Sequence, residues 1–153
     1  MTALPLKIVS GGQTGVDQGA LDAGRECGGW CPEGRRSEAG SIPSRFPVLG
    51  LSGSGYRERT LKNVIDSDGT VILYFAKLEG GTKITTEFCR QYHKPHVEID
   101  RAALSLERSL SELRKFIDAN DVRILNVAGT RESKWDEAHA AAHELVSALL
   151  KIK

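Results

Sequence analysis

Three times in this chain a run of strand-forming residues leads through a short glycine-bearing segment into a helical pattern. The segments are Ser10-Gly11-Gly12-Gln13-Thr14-Gly15-Val16-Asp17, Glu79-Gly80-Gly81-Thr82-Lys83-Ile84-Thr85-Thr86-Glu87, and Asn126-Val127-Ala128-Gly129-Thr130-Arg131-Glu132-Ser133. Strands that alternate with helices fold as βαβ units, with parallel strands and right-handed crossovers. Parallel strands bring their carboxyl ends to one edge of the sheet, where ligands of open α/β sheets bind. Glycine admits close backbone approach, and the unpaired N–H groups of a helix start attract anions. The repeated pattern therefore predicts one pocket for a phosphate or another oxyanion.

The rest of the chain follows the same rhythm. Leu6 to Ser10 reads as the first strand, and Gly15 to Cys27 as a helix ended by Gly28-Gly29. Val71 to Phe75 is continuously apolar, as a strand buried on both faces should be. Thr82 to Tyr92 reads as the helix after it, and His96 to Ile99 opens the next strand. Leu106, Leu110, Leu113 and Ile117 mark one face of an amphipathic helix from Leu104 to Ala119. Val122 to Val127 is the last strand, and Ser133 to Leu150 the last helix. The expected fold is α/β, a Rossmann-like three-layer sandwich with a mainly parallel sheet of about five strands. Length and the lack of a linker make residues 1–153 a single Rossmann-like domain.

Residues 30–56 break the pattern. They hold Pro32, Pro43 and Pro47, with Arg35, Arg36 and Arg45, and show little periodicity. Long irregular segments in small domains are commonly functional. Ile42, Phe46, Val48, Leu49 and Leu51 are expected to pack it against the body. Tyr56 to Asp66 then reads as a helix.

Charge and cysteine content narrow the function classes. The net charge of +1 gives no global field for nucleic acid or an anionic membrane, so any anion affinity is local. No apolar run approaches the roughly 20 residues that cross a bilayer. Residues 1–7 do not read as a signal peptide. Three cysteines, Cys27, Cys31 and Cys89, do not form a disulfide framework, and a cytoplasmic location is the expectation. The ligand class is thus a phosphate-bearing small molecule, without nucleic acid or membrane as partner.

Within the first segment Gly11, Gly12, Gln13, Thr14 and Gly15 would cradle the ligand, with Asp17 in the first helical turn. Ser10 stands where a dinucleotide fingerprint has its first glycine, and no Gly-Lys-Ser/Thr follows as in a P-loop. Thr14-x-x-Asp17 also resembles a capping box. In the second segment Gly80, Gly81 and Thr82 would offer N–H groups, and Thr86 a hydroxyl. Glu87 serves either as dipole compensation or as a catalytic carboxylate. In the third, Asn126, Gly129 and Arg131 flank the ligand, and Ser133-x-x-Asp136 has the spacing of a helix cap. Arg35 is expected as a lid contact from the irregular segment. His139 and His143 share a helix face but lack the glutamate of a zincin and a third ligand, so no metal site is expected.

These motifs resemble the putative molybdenum cofactor carrier family of small bacterial proteins. The likeness runs through Ile8 to Asp17, Gly28-Gly29-Trp30-Cys31-Pro32, Gly34-Arg35 and Ile42-Pro43. It continues through Arg59-Thr60, Asn63-Val64, Asp66 to Thr70, Gly80-Gly81-Thr82, Leu125 to Gly129 and Arg131-Glu132-Ser133. It implies the fold of the lysine-decarboxylase-like, nucleotide-binding Rossmann superfamily, and molybdenum cofactor (molybdopterin), a pterin bearing a phosphate, as cargo. It also implies a homodimer or higher homo-oligomer. Phosphoribohydrolases in the same superfamily cleave N-glycosidic bonds and carry Pro-Gly-Gly-x-Gly-Thr-x-x-Glu. Gly80-Gly81-Thr82 and Thr86-Glu87 echo that signature without its proline and one glycine. Nucleotide processing, with Glu87 as the acid–base residue, is therefore the alternative to carriage.

Overall fold

A computed structural model describes residues 6–151. The main sheet has five strands, all parallel. Its members are β1 (Lys7–Val9), β2 (Glu26–Gly28), β7 (Gly69–Tyr74), β8 (His96–Asp100) and β9 (Ile124–Gly129). Their spatial order is β2-β1-β9-β7-β8. The last strand in sequence is thus wedged between the first and the most apolar. Lys7 pairs with Ile124, and Gly69 with Leu125.

Helices cover both faces. On one lie α1 (Val16–Ala23), α4 (Leu106–Asn120) and α5 (Ala138–Leu150), on the other α2 (Tyr56–Asp66) and α3 (Gly80–Gln91). Alternation along the strands divides the apolar residues between the layers. Ile8, Val71, Leu73, Leu125 and Val127 join Val16, Leu113, Leu145 and Val146 in the larger core. Val64, Phe88 and Cys89 form a smaller core beneath α2 and α3. α4 starts on Ser105, whose hydroxyl accepts the Arg108 N–H, and ends at Asp121 in a left-handed conformation.

Several boundaries differ from the sequence expectation. The first helix ends at Gly24 rather than at Gly28, and Cys27 belongs to edge strand β2. A Cβ on Gly24 would lie 2.4 Å from Cys27 Sγ and 3.2 Å from Ile8, so the chain turns there in close contact with the sheet. The last helix begins at Ala138, after a turn through residues 131–137, because Trp135 and Ala138 donate to carbonyls of that turn. Gly80 and Gly81 lie inside the first turn of α3 rather than before it.

The irregular segment packs down, as its apolar residues suggested. It contains β3 (Trp30–Pro32) paired parallel with β6 (Leu49–Leu51), and a two-rung hairpin of β4 (Arg36–Ser37) and β5 (Gly40–Ser41). Ile42, Phe46 and Val48 join Leu21 and Cys31 in a separate buried cluster. Leu49 departs from this expectation and is 63% exposed. Asn63 ties the segment to α2: it accepts the Trp30 N–H at 2.8 Å and donates to the Trp30 carbonyl at 2.9 Å. No described helix is long and apolar enough to cross a membrane.

Candidate functional site

The three central strands β1, β9 and β7 are the ones followed by the glycine segments, so their loops meet at the same edge. A cleft of about 440 Å³ opens there. Gly11, Gln13 and Asp17 come to it from the first segment, Gly80, Gly81 and Thr82 from the second, and Asn126, Gly129 and Arg131 from the third. Convergence follows from strand order: adjacent parallel strands put their exits side by side.

The floor is charged and buried. Asp17 is 5% exposed, and Arg59 Nη1 lies 3.7 Å from its Oδ2. The Gln13 N–H donates to the same oxygen. Burial lifts the Asp17 carboxyl to about 6, against the lowering influence of Arg59, the Gln13 N–H, the Ser10 hydroxyl and Arg131. Burial likewise pulls the Arg59 guanidinium below its usual value, against the opposing influence of Asp17. Arg59 Nε and Gln13 Oε1 are buried with no partner among the described residues. Asn126 spans β9 and β7, donating to Thr70 Oγ1 at 3.2 Å.

The walls carry more positive charge. Arg57, Arg131 and Lys134 join Arg59 in lining the cleft, against the carboxylates Asp17 and Glu79. Arg131 sits 5.8 Å from the Tyr56 ring centroid. The first turn of α3 lines the opening through Gly80, Gly81 and Thr82 and has no side-chain cap, which leaves a positive helix end there. Tyr56, Thr60 and Asn63 complete the α2 side. Sequence reasoning did not single out Arg57, and Arg59 entered only through the family likeness at Arg59-Thr60. No periodic or motif signal marked Arg59 as the buried one.

Other expected site residues are placed elsewhere. Gly12 faces the irregular segment: a Cβ there would meet Val48 at 3.0 Å, and its φ is +76°. Gly15 packs the first loop on the third, where a Cβ would lie 2.5 Å from the Thr130 carbonyl oxygen. Thr14 does not act as a helix cap; its hydroxyl donates to Glu38 at 2.5 Å and accepts the Glu132 N–H. Ser133 likewise bonds Glu38, and Glu132 accepts the His139 N–H at the start of α5. Arg35, expected as a lid contact, lies outside the cleft lining. Its guanidinium donates to the carbonyls of Ile42, Pro43, Phe46 and Val48, and holds the irregular segment's own turn together. Thr86 is buried and donates to the Thr82 carbonyl. Glu87 is exposed and outside the cleft lining, where Thr85 stands instead.

Fold and site together define a Rossmann-like α/β protein with a largely cationic cleft at the carboxyl edge of its sheet. Residues 8–150 match the model of the circularly permutated YpsA SLOG family, and the chain belongs to that family. It is also similar to a protein from Syntrophus aciditrophicus SB, named putative molybdenum carrier protein, whose crystal structure is solved at 1.45 Å. The identity is 37% over 99% of this chain and 98% of that one, with a TM-score of 0.94. A search of curated proteins gives no match.

Proposed function

We propose that this protein binds a phosphate-bearing small molecule in the cleft, as a carrier of the molybdenum cofactor type. The observation that carries the reading is the meeting of Arg59, Arg57, Arg131 and Lys134 with the uncapped first turn of α3. Cations and free N–H groups are what a phosphate monoester requires. The unpartnered Arg59 Nε and Gln13 Oε1 beside the floor leave hydrogen-bonding capacity that the fold does not use. The name of the Syntrophus aciditrophicus relative agrees with a molybdenum-related cargo, and a phosphorylated pterin would engage these groups.

A second reading, N-glycosidic cleavage of a nucleotide, rests on one observation: Asp17 is a buried carboxyl near 6 in the cleft floor. Glu87 is exposed and outside the cleft lining, so the reading turns on Asp17 instead. One experiment separates the two. The purified chain is titrated with molybdopterin and with a panel of nucleoside monophosphates, and free base is measured. Binding without base release is the expected result. Base release lost in Asp17→Asn would establish the enzyme instead, and failure to bind any phosphorylated compound would remove both readings.

A further inference from the structure

The donors gripping Glu38 all belong to the first and third glycine segments, while Glu38 does not. Its Oε2 accepts from Thr14 Oγ1 at 2.5 Å and from the Ser133 N–H at 3.2 Å. Its Oε1 accepts from Ser133 Oγ at 2.6 Å and lies 4.0 Å from Arg131 Nη1. Thr14 sits in the loop after β1, and Arg131 and Ser133 in the loop after β9. Glu38 reaches them from the tip of the β4–β5 hairpin, which is joined by only two residue pairs. The other tie from the first loop to that hairpin runs from Gln13 Nε2 to the Arg36 carbonyl.

We propose that Thr14, Ser133 and Arg131 form a phosphate subsite adjoining the cleft, which Arg131 also lines, and that the Glu38 carboxylate fills it as an internal stand-in. The proposal rests on the phosphate-binding reading above and locates the phosphate within it. A carboxylate and a phosphate monoester draw on the same donors, hydroxyl, backbone N–H and guanidinium. The monoester offers three terminal oxygens where the carboxylate offers two, so it engages the same four groups without loss. Arg131 also lines the cleft, so a phosphate held here leaves the body of the ligand over Asp17 and Arg59. Burial pushes the Glu38 carboxyl up, but the bonds from Ser133 and Thr14 outweigh it and hold the carboxyl below its ordinary range. Glu38 is therefore a full negative charge at neutral pH, and a phosphate can enter only as it leaves. Ligand entry and release of the 36–41 hairpin become one event.

The test measures affinity for orthophosphate and adenosine monophosphate by calorimetry in the full chain, Glu38→Ala, Glu38→Gln, and Glu38→Ala combined with Ser133→Ala. Glu38→Ala is expected to bind both probes about tenfold more tightly, the equivalent of about 1.4 kcal/mol, with Glu38→Gln in between. The gain is expected to vanish in the double variant. Circular dichroism confirms folding of each. A folded Glu38→Ala, or a folded Glu38→Gln, that binds no more tightly than the natural chain overturns the subsite while leaving the phosphate-binding reading in place. Failure of the natural chain and of both single variants to bind either probe overturns the reading and the subsite together.

Discussion

Arg59 Nη1 lies 3.7 Å from Asp17 Oδ2, and a Cβ on Gly11 would fall 1.6 Å from that same nitrogen. The glycine is thus the space that lets a buried guanidinium reach its carboxylate. Gly11→Ala is expected to keep the fold, because the obstacle is a side chain and not backbone, but to push Arg59 off Asp17. Phosphate-ligand affinity should fall about tenfold or more, in keeping with the loss of a charge-assisted contact. A crystal structure of the variant with Arg59 unmoved would refute the account.

The pH dependence of stability follows from Asp17. Its carboxyl is raised to about 6 in the folded protein, from an ordinary 3.8. Between those values the folded state keeps a proton that the unfolded chain has released, so stability from this group falls as pH rises through the window. Asn at this position cannot ionise. The stability of Asp17→Asn relative to the natural protein should therefore rise by about 2 kcal/mol between pH 4 and pH 7, and level off above. Urea unfolding across that range measures it. A difference that does not change with pH would mean the carboxyl titrates normally.

Arg35 should matter for folding and not for the ligand. Four backbone carbonyls, of Ile42, Pro43, Phe46 and Val48, receive its guanidinium. Arg35→Ala leaves those acceptors short of donors and is expected to cost about 2 to 4 kcal/mol. Faster proteolytic cutting within residues 36–48 is the accompanying sign. Unchanged stability with weakened ligand binding would instead restore Arg35 as a ligand contact.

Gly15 and Gly81 should separate fold from function. Gly15 has φ +81°, and a Cβ there would lie 2.5 Å from the Thr130 oxygen and 2.7 Å from the Glu132 nitrogen. Gly15→Ala is expected to lose about 3 kcal/mol or more, since backbone strain and a backbone clash act together. Gly81 meets nothing within 4 Å and sits in the first turn of α3. Gly81→Ala should stabilise the helix by about 0.5 to 1 kcal/mol while obstructing the ligand's approach to the N–H groups. Thermal unfolding and binding measured on the same samples decide it. Affinity that survives Gly81→Ala would remove the α3 turn from the site.

Much of the architecture was readable because local chemistry and global fold agree. The Val71 to Phe75 run, the face Leu106, Leu110, Leu113 and Ile117, and the turn residues between them each point to one element type. The helix Tyr56–Asp66 is found with the expected limits. Edge strand Glu26–Gly28 was missed because three residues show no period of their own and gain strand geometry only by pairing with β1. The caps at Thr14 and Ser133 were misread for a related reason: their hydroxyls are claimed by Glu38, distant by 24 and 95 residues.

By itself the sequence determined the alternation of strands and helices and the glycine turns that follow three of the strands. These depend on short-range periodicity and on backbone freedom, which neighbouring residues carry. Tertiary structure alone decided that β9 lies between β1 and β7, which joins the three segments in one cleft. It also decided that Arg59 is the arginine buried on Asp17, that Arg35 braces a loop, and that Glu38 closes on Thr14 and Ser133. Which guanidinium is desolvated, and which carboxylate meets which donors, depends on contacts between residues far apart in the chain. No local pattern encodes them.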